Sequence, residues 1–258
     1  MNILIVLAHP EPQSFNHALT AAASDVVKAR GDEIRVSDLY ALGFTPDEHS
    51  RHFRQRANPA LFDVQTEQRF NAAKASLPPD VRQQIENLHW ADIVILQFPL
   101  WWFGMPAILK GWMDRVFVYG ELYSGTRRFN TGVCLGKRAV LSVTLGSSTE
   151  ACGCDGQEGD TGLMLWPTNY ALHYLGFTVL EPRTVAGIRR GFSDEEAITQ
   201  QHFLKEAIKD HQCWIAGLDK AAVVAFNASE DFDDQRRLKP GAPVYNPFIR
   251  HRLAQHKG

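Results

Sequence analysis

Residues 92–118, DIVILQFPLWWFGMPAILKGWMDRVFV, decide the fold. The run Asp92–Phe98 is apolar and rich in β-branched residues, without the alternation of a strand wetted on one side. It reads as a strand buried on both faces, the habit of parallel sheets. Pro99 and Gly104 bound a loop of consecutive aromatics, Trp101, Trp102 and Phe103. Pro106 suits a first helical turn, and the helical pattern continues to Val118. A membrane span over Ala91–Trp112 would be interrupted by Asp92, Gln97, Pro99, Gly104, Pro106 and Lys110, so a strand, a loop and a helix explain the stretch better.

Working outward, the same kind of run recurs at Asn2–Ala8, Glu33–Asp38, Arg138–Thr144 and Phe177–Glu181. Helical patterns alternate with these runs. Ser14–Arg30 carries Phe15, Leu19, Ala22, Val26 and Val27 on one side, and Gly31 stops it. Pro79–Trp90 places Val81, Ile85 and Leu88 on one stripe, and Leu163–Leu175 and Ser193–Ile215 complete the set. Alternation of this kind predicts an α/β fold, an open parallel five-stranded sheet with helices on both faces. Tyr40–Ser76 is an insertion before the third strand with no readable period. Residues 1–217 form the expected body, and 218–258 a proline-containing C-terminal extension that either wraps a neighbour or frays.

The 258 residues carry 27 Lys+Arg against 29 Asp+Glu, a formal charge of −2. That balance supplies no basic footprint for nucleic acid. The four cysteines, Cys134, Cys152, Cys154 and Cys213, match neither a paired CxxC metal pattern nor a disulfide framework. The N-terminal MNILIVLAHP lacks the basic region and long apolar stretch of a signal peptide, so the expectation is a cytoplasmic protein without membrane insertion.

Ligands of open α/β sheets bind beyond the carboxyl ends of the strands, so three loops matter. AHPEPQSFNHAL leads from the first strand into a helix whose free N–H groups suit an anion, with Ser14 as cap and Asn16 as a further donor. It contains neither GxGxxG nor GxxxxGK[ST]. The aromatic loop after the third strand offers flat apolar surface to a planar ring, or equally forms an interface or a core plug. TLGSSTEACGCDGQEGD, after the fourth, is rich in Gly and Ser and adds Glu150, Cys152, Cys154, Asp155, Glu158 and Asp160. Two thiols without a nearby histidine fall short of a tetrahedral metal site.

AHPEPQSFN, QFPLWWFGMPAILKGWMDRVF and LSVTLGSS, continued by GDTGLMLWP and LHYLGFTVLEP, resemble the NAD(P)H:quinone oxidoreductase (DT-diaphorase) family of flavodoxin-like flavoproteins. The resemblance covers about residues 1–215 and fades in the extension. It implies a homodimer holding FAD, with FMN the second choice, and a ping-pong cycle from NAD(P)H through the flavin to a quinone or similar planar acceptor. By position, it implies that His9, Ser14, Phe15 and Asn16 hold the FAD diphosphate. Pro99, Leu100, Trp102 and Phe103 would line the ring, and Thr144, Leu145, Gly146 and Ser147 would face its polar edge. Tyr123 and Tyr174, with Trp102 and Phe103, would meet the acceptor.

The chain departs from the family where it matters for proton handling. A family tyrosine and, six residues later, a histidine are replaced by Cys152 and Glu158. Leu145 and Ser147 also replace a threonine and a glycine. Either Glu158, buried beside the flavin, donates a proton, or another group has taken over and the loop has drifted. Two further classes compete with the enzyme: a flavodoxin-like electron carrier, and a regulatory flavoprotein that binds a membrane transporter. The near-neutral charge gives a carrier little docking field.

Overall fold

The computed structural model describes residues 1–189 and 193–252. Four strands, β1 (Asn2–Leu7), β2 (Glu33–Asp38), β3 (Ile93–Pro99) and β4 (Arg138–Thr144), pair in parallel in the order β2-β1-β3-β4. β1 sits between β2 and β3, so the chain reverses its direction of travel across the sheet there. The crevice at such a switch point is where ligands of open sheets sit. All seven residues of β3 are buried, which is why its run is apolar throughout.

The fifth strand is not the single run Phe177–Glu181 that the apolar pattern suggests. It is two pieces, β5 (Thr178–Val179) and β6 (Arg183–Val185), both parallel to β4. Ala139 faces Val179 and Ser142 faces Arg183, so one side advances three residues while the other advances four. The extra residue and Pro182, which has no N–H to give, break the ladder. The second piece then runs under the loop that follows β4. The Leu145 N–H donates to Val185 O at 2.9 Å, Ile188 N–H to Leu145 O at 2.8 Å and Gly187 N–H to Ser147 O at 2.9 Å.

Helices cover both faces of the sheet. α1 (Phe15–Ala29) and α6 (Asp194–Ala216) share one side, where Ile3, Ile5, Ile93, Ile95, Ala23, Val27 and Ile215 are buried. α3 (Pro79–Trp90), α4 (Ala107–Val116) and α5 (Thr161–Tyr174) lie on the other, over Leu4, Val6, Val94, Leu96, Leu141 and Val143. The caps follow the local chemistry. Ser14 accepts from His17 N–H, Asp160 from Gly162 and Leu163, and Ser193 forms a reciprocal box with Glu196. Pro106 is itself the cap of α4 rather than its first turn.

The insertion contains α2 (Val64–Ala73) and a single turn at Ser50–His52. Its organiser is the buried carboxylate of Glu67, which accepts from Arg56 Nε at 2.9 Å, Ala57 N–H at 2.8 Å and Asn58 N–H at 3.3 Å. The insertion is fastened to α4 by close approach. A Cβ on Gly111 would stand 2.1 Å from Pro46 O, so only glycine fits.

Beyond Gly217 the chain crosses back over α5. His173 and Phe226 stack at 4.2 Å with their planes 3° apart, and Phe248 packs 5.9 Å from Tyr170. The last part of the 218–258 extension, 253–258, lies outside the described residues.

Candidate functional site

Three loops at the carboxyl ends of β1, β3 and β4 meet, as their positions in the sheet require. The first opens α1. Ser14 is 7 % exposed, and its hydroxyl is paired to His17 Nδ1 at 3.0 Å, whose Nε2 reaches Asp38 at 3.0 Å. Among the described residues, the N–H groups of Phe15 and Asn16 meet no acceptor. They stand at the positive end of the helix, where an anion is stabilised.

Asn16 has a different task from the one its place suggests. Its side chain is 2 % exposed, with Nδ2 donating to Thr144 Oγ1 at 2.9 Å and Oδ1 accepting from Gln97 Nε2 at 2.7 Å. The carboxamide ties the first loop to β3 and β4, and the backbone N–H is what it leaves available. Gln97 was not among the expected site residues. The signal for it was a lone polar residue inside an apolar strand, which burial makes costly unless it is paired.

The second loop is a two-residue turn. Trp101 and Gly104 exchange backbone hydrogen bonds of 2.9 and 3.0 Å, and Trp102 and Phe103 occupy its tip at φ values of 50° and 61°. Two positive φ values mark a type I′ turn, which normally carries Asn-Gly. A bulky residue in this region is strained. The aromatic tip is not folded against the body: Trp102 is 94 % exposed and Phe103 57 %. Both rings line the smaller of the two cavities described below.

The third loop is pinned from below by β6. Thr144 and Leu145 are buried, and Gly146 and Ser147 hold N–H groups that meet no acceptor among the described residues. From Ser148 to Thr161 the chain coils on itself. Glu158 N–H donates to Ala151 O at 2.9 Å, and both the N–H and the hydroxyl of Thr161 reach Cys152 O, at 3.2 and 3.1 Å. Gly156 is required there, because a Cβ would lie 2.2 Å from Ala151 O.

Two cavities lie side by side at this meeting point. One, of about 660 Å³, runs from His9, Ser14, Phe15 and Asn16 past Pro99, Leu100 and Thr144 to Gln200 and Leu204 on α6. The other, of about 250 Å³, is lined by Leu100, Trp102, Phe103, Leu145, Gly146, Ser147, Cys152 and Glu158. They share Leu100, Leu145 and Gly146. Gln200 and Leu204 were not anticipated, and their distance along the chain left no local signal.

Glu158 reaches the smaller cavity but is exposed to solvent rather than buried. Cys152 is half-buried. Tyr123 and Tyr174 are brought together, 5.7 Å apart, yet they line neither cavity. They face a third one, of about 770 Å³, between α2, α4 and α5. Burial pushes the Tyr123 phenol up from its ordinary value. Among the described residues, no group of three or more His, Cys, Asp or Glu is placed to hold a metal ion. Nor is any helix long and apolar enough to cross a membrane.

Order β2-β1-β3-β4 followed by the split edge strand, with helices on both faces and a site beyond the carboxyl ends, defines a flavodoxin-like protein. A family model described as flavodoxin-like fold matches residues 1–207, and the chain belongs to that family. Within it, the chain stands with the quinone oxidoreductases. It is 40 % identical over 187 residues to NAD(P)H dehydrogenase [quinone] 1 of Cavia porcellus, covering 72 % of this chain and 68 % of the relative. It is 40 % identical over 183 residues to ribosyldihydronicotinamide dehydrogenase [quinone] of Homo sapiens, covering 70 % and 79 %. A solved Klebsiella pneumoniae protein assigned as a quinone reductase superimposes with a TM-score of 0.82 at 29 % identity, over 93 % of this chain and 94 % of that one.

Proposed function

We propose that the protein is a flavin-dependent oxidoreductase that takes two electrons from NAD(P)H and delivers them, in a ping-pong cycle, to a quinone or similar planar acceptor. The observation that carries this reading is the pair of neighbouring cavities, with backbone N–H groups at both Phe15–Asn16 and Gly146–Ser147 that meet no acceptor among the described residues. A flavin carries an anionic tail and a ring that gains negative charge on reduction, and these two donor pairs match those needs. The relatives' printed activities support the same reading.

When bound, a flavin would supply the hydride chemistry that amino acids lack. This chain's own residues do the rest. The Phe15 and Asn16 N–H groups hold the diphosphate at the helix end, with His9 and Ser14 beside it. Pro99 and Leu100 give the ring a dry edge. Gly146 and Ser147 N–H groups, held by Val185, Gly187 and Ile188, stabilise developing charge without rearranging. Glu158, open to water on one side and to the smaller cavity on the other, passes protons between the two, with Cys152 beside it. Trp102 and Phe103 bracket the acceptor at the mouth.

FAD is the expected flavin, because the larger cavity continues from the helix end to Gln200 and Leu204, giving room beyond a single phosphate. A homodimer is part of the same proposal. Tyr123 and Tyr174 line neither of the chain's two site cavities, so their acceptor-side role is one a partner copy would receive, with residues 218–258 at that interface and 1–217 as the flavin-binding body.

The deciding measurement is the absorption spectrum of the purified protein under anaerobic titration. Bleaching by NADH or NADPH, with colour restored by a quinone, is the expected result, and mass analysis of the released cofactor separates FAD from FMN. A protein that takes up no flavin ends this reading.

A further inference from the structure

The first loop carries a hydrogen-bonded relay that leads away from the larger cavity. Ser14 Oγ lies 3.0 Å from His17 Nδ1, and His17 Nε2 lies 3.0 Å from Asp38 Oδ2. Asp38 is fixed through its other oxygen, because Oδ1 accepts from the Tyr40 and Ala41 N–H groups at 3.2 and 3.1 Å. Ser14 Oγ in turn accepts from the His17 N–H at 3.3 Å. Ser14 lines the larger cavity with Phe15 and Asn16, so its hydroxyl stands at the anion end of the site. The charged and titratable groups around the relay and this cavity are Asp38 at the end of β2, His9 and Glu11 on the first loop, and Arg189 beyond β6. The His9 and His17 rings are 6.4 Å apart.

The direction of the relay follows from its last member. A carboxylate only accepts, so the contact at Asp38 requires a proton on His17 Nε2. A neutral imidazole protonated there has a bare Nδ1, and Ser14 then donates its only proton to it. One lone pair of the hydroxyl already takes the His17 N–H, so the other is left for the cavity, where it repels an anion. An imidazolium reverses the contact. Its Nδ1–H donates to Ser14 Oγ, and the released hydroxyl proton is free to donate to the anion. Hydrogen bonds to an ionised acceptor are the stronger kind.

We infer that His17 and Asp38 are positioning residues that couple binding of the flavin diphosphate to uptake of a proton at His17. The coupling presupposes the flavin reading above. Asp38 sets its sense, because the carboxylate charge forbids the neutral tautomer that would already donate from Nδ1 to Ser14. Imidazole changes charge near neutral pH, so flavin affinity falls as pH rises through that range and the proton leaves.

The test is calorimetric titration of the full chain, stripped of flavin, with FAD between pH 6 and pH 8 in pairs of buffers that differ in ionisation heat. The diphosphate keeps its charge over that interval, so protons counted from the buffer heats are taken up by the protein. Uptake of about half a proton at pH 7, with about fivefold weaker binding at pH 8 than at pH 6, is the expected wild-type result. His17→Gln carries no titrating ring and should lose both the uptake and the pH dependence. Asp38→Asn should give the opposite signature. Its Oδ1 keeps the Tyr40 and Ala41 N–H groups, which turns Nδ2 toward His17. The neutral ring then accepts at Nε2 and donates from Nδ1 to Ser14, so binding at pH 8 should tighten to about the wild-type level at pH 6, without uptake. Melting profiles like that of the wild type establish that both variants are folded. FAD binding that draws no proton and is level across this range overturns the proposal. So does uptake that survives in His17→Gln, or an Asp38→Asn chain weakened equally at every pH, as a merely structural Asp38 requires. A chain that takes up no FAD at any pH fails the flavin reading itself, and the coupling falls with it.

Discussion

The Asn16 carboxamide donates to the Thr144 hydroxyl at 2.9 Å across 128 residues of sequence, and both groups are buried. With Gln97 Nε2 donating to its Oδ1 at 2.7 Å, Asn16 fastens the start of α1 to the ends of β3 and β4. Asn16→Ala removes both bonds and strands the partner groups without water. The expected loss is roughly 2 to 4 kcal/mol of stability, read by urea denaturation, together with weaker flavin binding. A variant as stable as the wild type would show that the two Asn16 side-chain bonds do not hold these segments in place.

The Trp102–Phe103 turn stores strain that a standard turn sequence releases. Replacing the pair by Asn-Gly should raise stability by about 1 to 3 kcal/mol while lowering quinone turnover, because the aromatic mouth is lost. A gain in Tm with unchanged kcat/KM for the acceptor would remove these rings from the site.

Glu158 sits where water reaches it, so the proposed proton transfer has a competitor. Glu158→Gln should slow the half-reactions by roughly tenfold, less than the 10²- to 10⁴-fold of a sequestered acid. Stopped-flow rates that do not change with the substitution at any pH would reject the role.

His211 on α6 is 1 % exposed, and burial, aided by the nearby Arg183 charge, pushes its pKa down to about 3. The folded state therefore binds a proton far less readily than the unfolded chain. Its contribution to stability is fully present above the ordinary histidine value of 6.5 and is lost as pH falls from there toward about 3. The slope over that window is about 1.4 kcal/mol per pH unit. Denaturation midpoints measured from pH 7 to pH 4 should show this fall, and His211→Leu should flatten it.

What the sequence discloses is what local physics controls. Continuous apolar runs mark β1, β3 and β4, and Ser14, Gly31 and Pro79 mark helix ends, because burial and capping act within a few residues. The divided edge strand was not legible, since Pro182 and one extra residue shift the register only against β4. Nor was the insertion, whose organiser is a buried carboxylate in a polar stretch that carries no period. At the site, the loops were readable and their side-chain roles were not. The engagement of Asn16 depends on Gln97 and Thr144, and the outward stance of Trp102 depends on a backbone conformation that residue type argues against.

The break between β5 and β6 also decides what happens at the rim of the sheet. Leu180 pairs antiparallel with Val223, Glu181 N–H donates to Ala222 O at 2.8 Å, and Val224 N–H donates to Val179 O at 2.9 Å. The chain's own tail thus occupies groups that a bare outer strand would offer to any extended peptide. Unpaired strand edges template aggregation and fibre growth, and this one is closed from within the same molecule. A protein shortened after Gly217 would uncover that template, so the tail guards the molecule's colloidal solubility as well as whatever it binds.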